Sequence, residues 1–157
     1  MPYSLRSKIE LELERLEGLG IISKVAAAEF STTLIVPVLI ANGQVPICGD
    51  CKVTVNRYLD LTQCPLPHIE ENFERLSGEA VYSKLDLPDA YLQVELDKKS
   101  KRHVVITIHK GLYRYNRLCL GIASAFAIFQ NIIEKILQPV KGVQPYRHDI
   151  ALKIIND

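Results

Sequence analysis

A β-rich run beginning at Ala80 ends in two carboxylates three residues apart, Asp86 and Asp89, inside the stretch Ser83-Lys84-Leu85-Asp86-Leu87-Pro88-Asp89-Ala90-Tyr91. This stretch constrains the fold more than any other. A hard divalent cation takes oxygen ligands, and one strand end cannot supply enough of them, so a second acid-bearing strand end has to lie nearby. Tyr146-Arg147-His148-Asp149 offers one, a polar tip between Gly142-Val143-Gln144 and Ile150-Ala151-Leu152 that reads as a hairpin. On the residues alone, Asp86 and Asp89 also fit a solvated strand end with a helix cap, and His148 with Asp149 an ordinary turn.

The 157 residues, 48% hydrophobic and 24% charged, suit one globular domain able to bury a core. Lysine plus arginine (19) nearly balances aspartate plus glutamate (18), so bulk charge announces no nucleic-acid partner and any such partner has to be argued from a site. The longest apolar run, 118–129, is broken by Gly121 and Ser124 and falls short of the roughly 18 residues a membrane span needs. Met1-Pro2-Tyr3-Ser4 leads into a charged segment with no signal-peptide core, which predicts an intracellular protein, cytoplasmic or nuclear, with no membrane partner. The four cysteines then suit reduced thiols better than disulfides.

Leu5, Ile9, Leu13 and Leu16 recur at helical spacing among glutamates, predicting an amphipathic helix stopped by Gly18 and Gly20. Residues 21–25 and 33–40 predict strands, and Ala41-Asn42-Gly43-Gln44 a hairpin turn returning through Val45 to Cys48, so that 20–56 forms a β-rich part. Pro67, Ile69, Phe73, Leu76 and Gly78 mark a second helix. Strands follow at 80–87, 92–96, 103–108 and 112–118, then a long helix with Ser124 as N-cap and Phe126, Phe129, Ile133 and Ile136 on one face. The layout predicted is α+β, an antiparallel sheet with helices on one face.

Asp86-Leu87-Pro88-Asp89-Ala90-Tyr91, Leu112-Tyr113-Arg114-Tyr115-Asn116-Arg117-Leu118, Gly121-Ile122-Ala123-Ser124-Ala125 with Phe129-Gln130, and the terminal Tyr-X-X-Asp hairpin follow one another in this order. Together with 13–25 (LERLEGLGIISKV), Cys48-Gly49-Asp50, Val55-Asn56 and Pro65-Leu66-Pro67-His68-Ile69, they resemble the reverse transcriptases of gypsy-class long-terminal-repeat retrotransposons and their retroviral relatives. The resemblance covers essentially the whole chain. It implies the fingers and palm of a right-hand polymerase, about 20–60 fingers-like and 65–157 palm-like, ending before the thumb and ribonuclease H regions as a truncated or decayed copy would. It also implies nucleotidyl transfer assisted by two Mg²⁺ ions, with RNA or DNA template-primer and deoxynucleotides as partners; the oligomeric state stays open. By position, Asp86 and Asp149 match the catalytic metal-binding aspartates and the Leu87 carbonyl an added ligand. Asp89 and Ala90 match the turn whose amides meet the triphosphate, and Tyr91 the ring beneath the sugar.

Departures from that pattern predict impaired activity. His148 stands where the family hairpin has a metal-binding aspartate, and imidazole is a poor partner for Mg²⁺. Pro46, Ile40 and Ala41 stand where the family places an arginine and lysines toward the triphosphate, and Cys51 where it has an aromatic ring. Leu118-Cys119-Leu120-Gly121 replaces Leu-Pro-Phe-Gly, and Ala125-Phe126 replaces Ala-Pro. A rival reading takes Cys48, Cys51, Cys64 and His68, spaced C-x2-C-x12-C-x3-H, as a structural zinc site in a binding module. A third is a non-catalytic remnant that still binds nucleic acid, with Lys98, Lys99, Lys101, Arg102, Arg114 and Arg117 either tracking phosphates or forming a solvated face.

Overall fold

The computed structural model describes residues 5–37, 40, 45–59, 81–146 and 148–154. Its strands are β1 (Ile22–Val25), β2 (Thr33–Pro37), β3 (Ile47–Gly49), β4 (Val81–Asp86), β5 (Val105–Ile108), β6 (Gly111–Tyr115), β7 (Val143–Tyr146) and β8 (Asp149–Ile154). The α-helices are α1 (Arg6–Gly18), the short α2 (Lys98–Lys101) and α3 (Ala125–Leu137). They fall into two compact units: Met1–Asp60 with Tyr91–Ala125, and Leu61–Ala90 with Phe126–Asp157.

The first unit is a five-stranded sheet in the order β1-β6-β5-β2-β3, covered by α1. Ile9, Leu13 and Leu16, four and three residues apart, are at most 2% exposed and meet Ile22, Ile106 and Tyr115 in one core. Burying each such side chain contributes roughly 1.5–3 kcal/mol. The Tyr115 hydroxyl donates to the Ile47 carbonyl at 2.9 Å, which satisfies its polar end inside that core. Gly20, at φ +69, reverses the chain after α1, and the Ile21 amide bonds back to the Leu16 carbonyl at 2.9 Å. All pairings here are antiparallel except β2 with β5, which run parallel through Thr33↔Ile106 and Leu34↔Thr107.

Two local expectations change. The segment 92–96 is not a strand: a 3₁₀ turn, Ala90–Gln93, is followed by a single bridge between Glu95 and Arg117. Among the described residues this segment meets the chain just after β6 through the bonds Leu96 N–H to Asn116 O (3.0 Å) and Leu118 N–H to Val94 O (2.8 Å), a single bridge and not a ladder. Helix α2 was unread because one cap decides it: the Asp97 carboxylate accepts from the Ser100 amide at 2.7 Å. The helix expected at 65–76 and the Asn42-Gly43 turn lie outside the described residues. The strands that turn was to join, β2 and β3, do pair antiparallel, with Val36 opposite Cys48.

The second unit holds a three-stranded antiparallel sheet, β4-β8-β7, and most of α3. Pro145 occupies edge strand β7, where its missing N–H costs no ladder bond. Gln130 of α3, 4% exposed, donates from Nε2 to the Pro145 carbonyl at 3.0 Å and so fastens the helix to that edge. The helix begins at Ala125, directly after Ser124 as predicted, but its apolar stripe fades: Phe129 is 4% exposed and Ile136 62%.

Candidate metal centre

Strand β8 lies between β4 and β7, and its first residue, Asp149, pairs with Asp86 on one side and Tyr146 on the other. The hairpin tip is held in register by a bond from the Leu87 amide to the His148 carbonyl, 2.8 Å. That bond fixes the end of β4 against the turn, and three side chains converge as a result. The ligand-capable atoms of Asp86, His148 and Asp149 all lie within 4.8 Å of one another, the one such group among the described residues.

Asp149 is the constrained member. Its Oδ1 is buried without a hydrogen-bond partner, while its Oδ2 lies 2.8 Å from the Lys84 ammonium. An unpaired buried carboxylate oxygen is costly and is relieved by a cation. The Asp149 carboxylate, first by direct hydrogen bond and then by its charge, holds the Lys84 ammonium above its ordinary range, with Asp86 adding to the effect. Lys84 was not singled out in the sequence. The signal was present in alternation, since residues 84 and 86 of one strand share a face, but it needed the β4–β8 register to gain a meaning.

The pair of Mg²⁺ ions implied by the resemblance does not fit this donor set. Two ions about 3.5–4 Å apart need several bridging and terminal oxygens. Here the side chains bring two carboxylates and an imidazole, with an ammonium already on one of the carboxylates.

The remaining predicted residues are placed as follows. Asp89 adopts φ +52, the sole non-glycine residue with positive φ among those described, and it makes the chain turn sharply beyond β4. Ala90 is 4% exposed, and Tyr91, part-buried, belongs to the first unit. Asn56, quoted in the sequence only as part of a motif, has a clear task. It donates to the Gly121 carbonyl at 2.8 Å and accepts from the Ala123 amide at 2.9 Å, clamping that loop within the first unit. Of the zinc reading, Cys64 and His68 lie outside the described residues. Cys51 is buried, and it and the half-buried Cys48 lie against Gly121. Among the described residues no helix is long and apolar enough to cross a membrane.

The comparisons with known proteins point to one family. A sequence profile described as reverse transcriptase (RNA-dependent DNA polymerase) matches residues 47–153. The Caenorhabditis elegans uncharacterized protein K02A2.6 is 37% identical over 153 residues, 97% of this chain and 12% of that protein. The transposon Tf2-3 polyprotein of Schizosaccharomyces pombe is 31% identical over 100 residues, 62% of this chain and 8% of the polyprotein. The chain therefore spans 12% or less of the length of these relatives. In fold, it matches a foamy viral protease-reverse transcriptase solved in complex with double-stranded DNA, with TM-score 0.88 at 20% identity over 99% of this chain and 27% of that one. A structure of the foamy viral protein with an RNA/DNA hybrid matches at TM-score 0.82 and 19% identity over 99% of this chain and 21% of that one. With a family profile matching most of its length and a fold shared with solved members, this chain belongs to the reverse transcriptase (RNA-dependent DNA polymerase) family.

Proposed function

We propose that this chain is a fingers-and-palm segment from the Pol polyprotein of a gypsy-class retrotransposon, built for RNA-directed DNA synthesis and impaired in that role by His148. The observation that carries the reading is the placement of Asp86 and Asp149 opposite one another at the ends of paired strands. The transposon polyprotein among its relatives supports the retroelement origin. The foamy viral structures with duplex DNA and RNA/DNA hybrid support a template-primer as partner, within the cell.

Members of this family work with divalent metal ions, which supply charge neutralisation around the reacting phosphate. In this reading Asp86, the Leu87 carbonyl and Asp149 stand at the positions that would hold such ions, and as they are they would hold one ion rather than a pair. The turn through Asp89 and Ala90 would present amides to the nucleotide phosphates, and Tyr91 would set the fit of the sugar. Asp89 suits that work because its backbone is left-handed, φ +52, a conformation found in the turns whose successive amides bind anions. His148 removes one unit of negative charge from the centre. At about 4 Å and an effective dielectric near 20 that loss costs roughly 4 kcal/mol, about a thousandfold in rate.

Primer extension on an RNA template tests the proposal, with Mg²⁺ and then Mn²⁺, comparing the unmodified chain with His148→Asp. The expected result is little or no synthesis by the unmodified chain in Mg²⁺ and a small gain on reversion, because Pro46 still stands where the family has an arginine. Robust Mg²⁺-dependent synthesis by the unmodified chain would refute the impairment.

A further inference from the structure

We infer that the Asp86–His148–Asp149 cluster has become a site for one first-row transition-metal dication, bound through two carboxylates and an imidazole, in place of paired Mg²⁺. Three observations carry this. The three ligand-capable atoms lie within 4.8 Å of one another. Ligands about 2.1 Å from a common ion lie at most about 4.2 Å apart, so small side-chain adjustments would seat a single ion among all three. Second, Asp149 Oδ1 is buried and has no hydrogen-bond partner, which leaves that carboxylate oxygen without a donor. Third, the donor set itself is mixed. Imidazole suits Mn²⁺, Fe²⁺, Co²⁺ and Zn²⁺ better than Mg²⁺, and nitrogen-containing sites follow the order Mn²⁺ < Fe²⁺ < Co²⁺ with Zn²⁺ also high.

Lys84 is the internal competitor. Its ammonium lies 2.8 Å from Asp149 Oδ2, on the same carboxylate whose other oxygen is unpaired. An entering dication has to share that carboxylate with a fixed positive charge, which lowers affinity without closing the site. The strand scaffold needs no rebuilding, since Asp86 pairs with Asp149 and the Leu87 amide already holds the His148 carbonyl at 2.8 Å.

The inference rests on the reading that these side chains descend from a polymerase metal centre, but its test requires no synthesis and is decided even if primer extension fails. Purified chain is titrated with Co²⁺ and followed by visible absorption, then challenged with Mn²⁺, Zn²⁺ and Mg²⁺, with folding checked by circular dichroism. One equivalent should bind with the spectrum of nitrogen and oxygen ligands, and Mg²⁺ should displace it at least about tenfold less well than Mn²⁺. His148→Ala should weaken Co²⁺ by about tenfold or more. His148→Asp should shift preference toward Mg²⁺, and Lys84→Ala should tighten every dication. Should His148→Ala fail to fold, an X-ray absorption spectrum of the unmodified Co²⁺ form still reads out the imidazole. Equal affinity for Mg²⁺ and Co²⁺, unchanged Co²⁺ binding in folded His148→Ala, or an intense thiolate charge-transfer band would each overturn the inference, the last by placing the ion on the cysteines.

Discussion

Gly121 has φ +100, and a Cβ there would overlap the carbonyl oxygen of Gly49 while meeting the Cys48 and Cys51 sulfurs at ordinary contact distance. Both the left-handed backbone and the contact require glycine. Gly121→Ala should therefore cost about 2 kcal/mol or more, seen as a lower urea midpoint at unchanged slope. Asn56 secures the same loop, so Asn56→Ala should cost about 0.5–1.5 kcal/mol by removing its bonds to the Gly121 carbonyl and the Ala123 amide, both exposed enough for water to replace it in part. Asn56→Asp should be no better, because a carboxylate can still accept from Ala123 but faces the Gly121 carbonyl without a proton to give. Residues of this kind divide by how far their chemistry reaches along the chain. Asp86 and Asp149 were legible because each is announced by its own strand and turn. The clamp from Asn56 to residue 121 and the ion pair of Lys84 were not, since both depend on partners brought in by the fold over a sequence distance of 65 residues.

Between elements, the contact most open to a pH test joins α1 to the turn between β5 and β6. The Glu10 carboxylate lies 2.7 Å from His109 Nε2 and 3.6 Å from the Lys110 ammonium. The hydrogen bond with His109 holds Glu10 below the ordinary carboxylate range against desolvation, the next largest effect, and the charge of Lys110 and the bond with Arg6 add to the lowering. A carboxylate depressed in the folded state stabilises above its unfolded pKa, near 4.5, and that contribution is lost as pH falls through the lower folded value. Glu10→Gln should accordingly lower the melting temperature at pH 6, and the difference should shrink progressively as pH falls below about 4.5, which paired thermal melts over a pH series would check. The periodic residues of α1 and the β-branched residues of β5 made those two elements readable in advance. Residues 92–96 were misread because alternation reports a strand's tendency and says nothing of whether a partner strand remains, and α2 was missed because a single Asp97 cap outweighs a lysine-rich stretch with no apolar face.

Across the whole molecule, charge is nearly balanced, at +1, and the fold divides even that small surplus unevenly. The five-stranded sheet takes strands from both sides of β4 in the sequence, a long-range pairing that no linear scan of propensities could order. It also carries the basic run around α2, where two of four cations are already engaged. The Lys101 ammonium lies 2.9 Å from Glu95, and Arg102 pairs with Glu29 while standing over the Phe30 ring. Arg117 donates to the Gln93 carbonyl at 3.1 Å, which removes another candidate for phosphate contact. Lys98 and Lys99 are exposed, and each phosphate neutralised on a duplex contributes a slope of about −0.9 in log K against log salt. An RNA–DNA hybrid should then bind with a slope near −2, losing about tenfold in affinity between 50 and 200 mM salt. Filter binding over that series, repeated with Lys98→Ala and Lys99→Ala combined, decides the matter. The double variant should flatten the slope toward zero, whereas a slope steeper than about −5 that survives it would mean that the phosphates lie along a different and larger basic surface.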